Sequence, residues 1–231
     1  MAPSVVAMTE TTDAPFFPAP VLAPLADPGT ARELLAATLR DLAGVVDAPG
    51  RRPDAATPCT RYTLDELRDH VLGWLQFFTA AFADPAAAAD RPDPERFRAA
   101  ADPSAAAAGG CRRIVEEAAA TFDRALAGGV LAGRVRLSQS FMDGPAALGM
   151  VLGEYLVHGW DLATAQGLPW DPTPRACAVA RDFFEGTIAP QYRGGDGGFF
   201  DAEVAVPADA SDRDRLLGFA GRDPQWTPPA A

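Results

Sequence analysis

The stretch Glu154-Tyr-Leu-Val-His-Gly-Trp-Asp-Leu-Ala163 lies within a longer apolar pattern that repeats at the spacing of an α-helix. Pro145 stands where a first-turn proline belongs, and Gly167 marks the end of the pattern. Between these two residues the apolar positions are Leu148, Val151, Leu152, Tyr155, Leu156, Leu162 and Ala163. The sequence therefore predicts a long helix from Pro145 to about Gly167 that buries an apolar face.

Two further long helices are predicted upstream of this stretch. The first has Thr30 as its N-cap and ends at the Pro49-Gly50 pair. The second runs from Leu64 to Ala83, because Thr63 and Glu66 have the spacing of a capping box. Both patterns are amphipathic, which is typical of helices that pack against one another.

The middle of the chain predicts another long helix, since apolar residues recur at helical spacing from Cys111 to Leu126 and the pattern ends at Gly128-Gly129. A shorter fifth helix follows Pro174. Two short segments are also predicted: a helix over residues 94–101 and an extended piece over residues 134–137.

Four long helices and no run of alternating strands predict an all-α fold, a four-helix bundle with a short fifth helix. Residues 1–28 are rich in proline and are interpreted as an extension, a tail or an arm on which Phe16-Phe17 could dock. Residues 29–231 are interpreted as one bundle domain that includes an irregular C-terminal segment from Gly194, in which Leu216, Leu217 and Phe219 form a small apolar cluster.

The composition excludes several classes of function. A net charge of -11, with arginine as the only basic side chain besides two histidines, repels nucleic acid and anionic membranes. No apolar run has the length of a membrane span, and the N-terminus lacks the features of a secretory signal, so a cytoplasmic protein is expected. The three cysteines are widely spaced, which argues against a disulfide framework and favours small buried thiols. A small molecule is the expected partner, bound by a monomer or a homodimer.

Glu154 and His158 are four positions apart on one predicted helix, so both side chains lie on one face, one turn apart. His70 lies on the inward face of the second helix and is the chain's only other histidine. Two imidazoles and one carboxylate are the ligands of an open, catalytic type of metal site. The alternative is that both histidines are hydrogen-bonded core residues and that no metal is bound. On these patterns alone, a metal site and a metal-free core are about equally supported.

Four other side chains near these positions are candidates for a supporting role. Asp161 follows His158 by three residues. It either orients His158 from the side that faces away from the metal or lies on a solvated flank of the helix. Trp74, Tyr155 and Trp160 either line a pocket or belong to the core. Cys59 is interpreted as structural rather than as a nucleophile, because nothing near it in sequence would lower its pKa. No catalytic residue is predicted beyond the metal ligands.

Several separate motifs resemble the DinB superfamily, and more narrowly its actinobacterial metal-binding branch related to the N-terminal domain of mycothiol-dependent maleylpyruvate isomerase. The motifs occur in this order: Thr57-Pro58-Cys59, Leu64-Asp65-Glu66-Leu67-Arg68-Asp69-His70-Val71, the stretch from Glu154 to Ala163, Val206-Pro207-Ala208-Asp209-Ala210, Asp214-Arg215-Leu216-Leu217 and Gly221-Arg222-Asp223-Pro224. The resemblance spans about Thr30 to Trp226. One departure is the segment Cys59-Thr-Arg-Tyr-Thr63, which replaces the branch's usual Pro-Gly-Trp continuation and changes a wall of the expected pocket.

This resemblance implies a DinB-type bundle in which His70, Glu154 and His158 bind a divalent metal, with zinc first and nickel or iron as alternatives. It also implies an enzyme, a transferase or isomerase that uses a low-molecular-weight thiol such as mycothiol on a small electrophilic metabolite. Two alternatives remain: a biosynthetic isomerase or cyclase that uses the metal as a Lewis acid without a thiol, and a non-catalytic metal-binding or stress protein.

Overall fold

The computed structural model describes residues 19–50, 52–87, 91–137, 140–190, 193–194 and 200–229. Within these residues the chain forms helices α1 to α8 and strands β1 and β2. In chain order they are α1 Ala19–Ala26, α2 Pro28–Val45, α3 Leu64–Ala83, α4 Pro103–Ala106, α5 Gly110–Ala127, β1 Arg134–Leu137, β2 Ser140–Asp143, α6 Gly144–Ala165, α7 Pro174–Thr187 and α8 Asp212–Phe219. None of the described helices is long and apolar enough to cross a membrane.

The four longest helices pack side by side as a bundle. Helices α2 and α3 each contact both α5 and α6, so the four helices enclose a common core. Their buried faces consist of leucine, valine, alanine and phenylalanine side chains at helical spacing. The fold is therefore all-α, with the four long helices that the sequence predicts and α7 as the predicted fifth helix.

Helix α3 has the bounds that its sequence pattern predicts. Thr63 and Glu66 form the capping box, in which the Glu66 carboxylate accepts from the Thr63 backbone N–H at 2.9 Å. This cap fixes the start of the helix at Leu64, six residues before His70. The helix ends at Ala83, where Asp84 leaves the helical conformation.

The start of the bundle differs from the sequence prediction in two respects. The N-cap of α2 is Asp27 and not Thr30, because the Asp27 carboxylate accepts from the Thr30 backbone N–H at 2.8 Å and Pro28 occupies the first turn. The predicted extension also contains α1, which packs on α2, α6 and α7 and buries Leu25 completely. The Phe16-Phe17 pair lies outside the described residues.

Three short segments also differ from their predictions. The extended piece over residues 134–137 is strand β1, but it pairs antiparallel with β2, a strand that the sequence analysis missed. The helix predicted over residues 94–101 is a single 3-10 turn, Pro94–Arg96. The C-terminal segment contains α8, which buries Leu216 and Leu217 against α7.

Small residues let α6 pack closely against its neighbours. A Cβ atom at Gly159 would lie 2.2 Å from the Trp170 ring, and one at Gly153 would lie 2.5 Å from the Phe184 ring. The Trp170 indole N–H also donates to the Leu156 carbonyl at 3.2 Å. These contacts fix the rotation of α6 about its axis and therefore the direction in which Glu154 and His158 point.

Candidate metal centre

The structure brings the three predicted ligands together across the bundle. His70 lies on α3, and Glu154 and His158 lie one turn apart on α6. The Glu154 Oε1 atom is 3.4 Å from His70 Nε2 and 3.6 Å from His158 Nε2. One donor atom from each residue lies within 4.8 Å of the other two. Two nitrogen lone pairs and one carboxylate oxygen therefore converge on one point.

The geometry of this donor set fits a divalent ion. Glu154 Oε1 is buried, yet no hydrogen-bond partner for it exists among the described residues. Two ligand atoms that lie about 2.0–2.2 Å from a tetrahedral ion are about 3.4 Å apart. The distances from Glu154 Oε1 to the two imidazole nitrogens, 3.4 and 3.6 Å, are close to this separation. A buried oxygen that faces two imidazoles without a hydrogen bond is costly unless a cation satisfies it. The residues present therefore fit a metal.

The surroundings of Glu154 favour the ionised form of its carboxyl group. Burial raises the pKa of this group, but its attraction to the imidazoles of His158 and His70 outweighs burial and holds the pKa below its ordinary value. The favoured form is therefore the anionic form that binds metal ions.

His158 is held from behind by a buried ion pair. Its Nδ1 atom lies 2.9 Å from Asp161 Oδ2, and the Asp161 side chain is fully buried. Arg222 donates to both Asp161 oxygens at 3.1 and 3.2 Å and is itself 6% exposed. The Asp161 carboxylate, paired with Arg222, accepts hydrogen bonds, so Nδ1 carries a proton and Nε2 is the nitrogen that faces Glu154. Asp161 is buried in contact with His158 and does not lie on a solvated flank of α6.

A sharp turn at the end of α8 places Arg222 in this position. Gly221 has a left-handed backbone (φ +80°), and the Arg222 backbone N–H donates to the Leu217 carbonyl at 2.8 Å, which closes the helix. A Cβ atom at Gly221 would also lie 2.8 Å from the Asp201 Cβ atom. Glycine is therefore required immediately before the arginine that enters the core.

A second set of donors, Cys59, His158 and Asp161, also lies within 4.8 Å. It differs from the first set because Arg222 already supplies the positive charge that Asp161 needs. Burial raises the pKa of the Cys59 thiol, which disfavours its thiolate form. This second set is a structural network behind His158.

The outer side of His70 faces an aromatic and a carboxylate group. The Tyr62 ring stacks on the imidazole with centroids 4.8 Å apart, and its hydroxyl lies 3.2 Å from His70 Nδ1. Glu95 Oε1 is 3.7 Å from the same nitrogen and accepts from the Trp74 indole N–H at 3.2 Å. Glu95 is largely exposed, so this side of the centre opens to solvent.

Of the three aromatic residues considered for a pocket, the structure brings one to the centre. Trp74 is half-buried and meets His70 edge-on, with ring centroids 6.3 Å apart. Tyr155 is fully buried and packs edge-on against Phe78, and Trp160 is a core side chain. The helix that carries Glu154 and His158 directs these other two rings into the apolar core.

Three residues around the ligands were not identified as functional from the sequence: Tyr62, Glu95 and Arg222. Arg222 lies in the Gly221-Arg222-Asp223-Pro224 motif, whose glycine and proline are typical of a turn but do not indicate a contact with α6. Tyr62 lies in the segment that departs from the Pro-Gly-Trp pattern. This departure was the sign in the sequence that could have identified Tyr62 as a functional residue. Glu95 lies in a Pro- and Asp-rich connection with no pattern that distinguishes it.

Comparison with known proteins identifies related sequences but no related solved structure. Two curated relatives from Mycobacterium tuberculosis, the uncharacterized proteins MT0763 (strain CDC 1551 / Oshkosh) and Rv0738 (strain ATCC 25618 / H37Rv), are each 29% identical over 167 residues. The match covers 72% of this chain and 82% of each relative. No solved structure matches the chain.

A family model covers more than half of the chain. It describes the mycothiol maleylpyruvate isomerase N-terminal domain, and it matches residues 31–163. The matched range includes α3 and most of α6, with His70, Glu154, His158 and Asp161, whereas Arg222 lies beyond it. The chain therefore belongs to the mycothiol maleylpyruvate isomerase N-terminal domain family, a DinB-like family.

Proposed function

We propose that this protein is a divalent-metal-dependent enzyme that uses a low-molecular-weight thiol of the mycothiol type on a small electrophilic metabolite, as a transferase or an isomerase. The observation that carries the proposal is the approach of His70 Nε2 and His158 Nε2 to Glu154 Oε1, a buried oxygen with no hydrogen-bond partner among the described residues. Family membership supports the use of a thiol.

The proposed ligands are His70, Glu154 and His158, and zinc is the metal that this nitrogen and oxygen donor set favours first. A bound divalent ion supplies Lewis acidity, which lowers the pKa of a coordinated thiol or water and so provides a nucleophile at neutral pH. Two neutral imidazoles and one carboxylate leave one positive charge on a divalent site. This charge would favour the binding of an anionic thiolate next to the three ligands.

In this proposal the residues of the chain bind the metal and orient its ligands. Arg222 and Asp161 keep the His158 proton on Nδ1, so that Nε2 is the donor atom. The bundle core shields the inner side of the site, where Tyr155 and Leu156 are fully buried. The outer side carries the half-buried Trp74 and the exposed Glu95, and a small molecule would approach the site from there.

In the transferase form of the reaction, a bond forms between the thiol sulfur and an electrophilic carbon while the leaving group departs from that carbon. The thiol proton passes to solvent. In the isomerase form, the thiol adds to the substrate and is later eliminated, so that it is regenerated. Such chemistry needs a reducing compartment, which is why we propose a cytoplasmic site of action.

The first test is metal content and thiol binding in the full chain purified without a histidine tag. We expect about one equivalent of divalent metal, and in the cobalt-substituted protein a sulfur-to-metal charge-transfer band on titration with mycothiol. Glu154→Gln should lose the metal. The matched control is Glu185→Gln, the same change at an exposed carboxylate on α7 that pairs with Arg181, and it should keep the metal.

Each possible result has a defined meaning. Less than about a tenth of an equivalent of metal in the wild type, unchanged in Glu154→Gln, would contradict the metal site. Metal binding without the sulfur band, and without thiol consumption across a panel of electrophiles, would leave a Lewis-acid isomerase or a non-catalytic metal protein as the function.

A further inference from the structure

The two histidines of the centre are held by different kinds of partner. His158 Nδ1 contacts the Asp161 carboxylate, which is buried and bound to Arg222. His70 Nδ1 instead lies 3.2 Å from the neutral hydroxyl of Tyr62. The carboxylate of Glu95 is 3.7 Å from the same nitrogen, which is too long for a hydrogen bond. Tyr62 is therefore the group that satisfies the outer nitrogen of His70.

One of the two possible proton arrangements in the contact between Tyr62 and His70 suits a metal ligand. If His70 Nε2 faces the ion, then Nδ1 carries the hydrogen and the phenol oxygen accepts it. In the part of the chain that the structure describes, the phenol has no other hydrogen-bond partner, so nothing competes for its lone pairs. The stacked ring also restricts rotation of the imidazole about its Cβ–Cγ bond.

The backbone around Tyr62 holds the phenol in place. The buried Thr57 hydroxyl lies 2.8 Å from the Cys59 carbonyl and 2.9 Å from the Tyr62 carbonyl. The Tyr62 backbone N–H donates to the Cys59 carbonyl at 3.2 Å. The capping box at Thr63 follows at once and fixes the start of α3, the helix that carries His70. Phenol and imidazole thus belong to one rigid unit.

We propose that Tyr62 is a positioning residue that fixes His70 in the tautomer with Nδ1 protonated and Nε2 directed at the metal. The inference rests on the proposed metal site and concerns the segment in which this chain departs from the Pro-Gly-Trp pattern. A tyrosine oxygen accepts a hydrogen bond, whereas an indole N–H only donates. Because the partner of His70 is a neutral phenol and not a charged carboxylate, His70 is the weaker and more exchangeable of the two imidazole ligands.

The test is proton nuclear magnetic resonance of the cobalt-substituted full chain in water. Imidazole N–H protons of metal ligands give strongly shifted, exchangeable signals, and we expect two of them, from His70 and His158. In Tyr62→Phe the His70 signal should broaden or disappear through exchange with water. The His158 signal should remain, since Asp161 and Arg222 enclose that proton, and cobalt stoichiometry should stay near that of the wild type.

Two further variants separate hydrogen bonding from packing. Tyr62→Trp keeps a stacking ring without an acceptor and should behave like Tyr62→Phe. The matched control Tyr155→Phe removes a buried phenol that has no hydrogen-bond partner among the described residues, and it should leave both signals unchanged. Retention of both signals in Tyr62→Phe, or loss of both, overturns the role of Tyr62 while cobalt binding still supports the metal site. Failure of the wild type to bind cobalt overturns the proposed function and this inference with it.

Discussion

Arg222 and Asp161 form a buried two-pronged ion pair that joins the turn after α8 to the last part of α6. The guanidinium Nε and Nη2 atoms lie 3.1 Å from Asp161 oxygens, and the Asp161 side chain is fully buried. The same carboxylate contacts His158 Nδ1 at 2.9 Å. One interaction therefore serves both the stability of the fold and the orientation of a proposed ligand.

Asp161→Asn should lower both the stability of the fold and the affinity for the metal. The neutral amide no longer compensates the buried Arg222, so we expect the free energy of unfolding to fall by about 3–5 kcal/mol. The metal should bind roughly 10- to 100-fold more weakly, because His158 loses the anion that fixes its tautomer. Chemical denaturation measures the first effect, and competition with a chelator measures the second.

The control for this variant is Asp123→Asn, which breaks the exposed pair with Arg32. It should change the free energy of unfolding by less than about 1 kcal/mol and leave metal affinity unchanged. Equal metal affinity in Asp161→Asn and the wild type would show that the contact with His158 does not support the ligand.

Replacing both partners of the ion pair separates stability from metal binding. Arg222→Met alone should destabilise the protein by about 3–5 kcal/mol, since it leaves the Asp161 carboxylate buried without its cation. Asp161→Leu together with Arg222→Met should recover most of that loss, because an apolar pair fills a similar volume without unpaired charge. Metal affinity should not recover, since His158 Nδ1 then has no acceptor. Recovery of both the free energy of unfolding and the metal affinity would contradict a role for the ion pair in the metal site.

Cys59→Ala tests whether the thiol nearest the centre takes part in the reaction. Cys59 is 4% exposed, and burial raises its pKa, so we expect neither metal affinity nor thiol consumption to change by more than about twofold. Cys177→Ala, at another buried free thiol, controls for the loss of packing. An enzyme that is inactive only in Cys59→Ala would identify Cys59 as a nucleophile and contradict the role given to it here.

The elements that could be predicted from sequence are those with strong local signals. The bounds of α3 follow from the capping box of Thr63 and Glu66, and the helical register of α6 places Glu154 and His158 on one face. The predicted start of α2 was wrong because Thr30 and Asp27 are both good N-caps. Only Asp27 is followed by a proline in the first turn. Strand β2 is four residues long and carries no clear alternation, so its pattern was too short to detect.

The residues around the ligands could not be predicted for a different reason. Tyr62, Glu95 and Arg222 come from loops and from the C-terminal segment, where no periodicity relates a residue to the face it contacts. Arg222 meets Asp161 across 61 positions of sequence, and Glu95 meets Trp74 across 21. Such contacts depend on how the loops fold over the bundle, which local patterns do not encode.

Alkaline pH should destabilise the protein through its buried thiols. Burial raises the pKa of Cys177 from 9.0 to about 12 in the folded state, whereas the unfolded thiol titrates near its ordinary value. Between these values the unfolded chain releases the thiol proton and the folded chain keeps it, so stability is lost as pH rises, by up to about 1.4 kcal/mol per pH unit for one group. The chain has no lysine, so mainly its three cysteines and three tyrosines titrate in this window. Denaturation of wild type and Cys177→Ala between pH 8 and pH 11 should give curves that converge as pH rises. Parallel curves would show that Cys177 is not protected from titration in the folded protein.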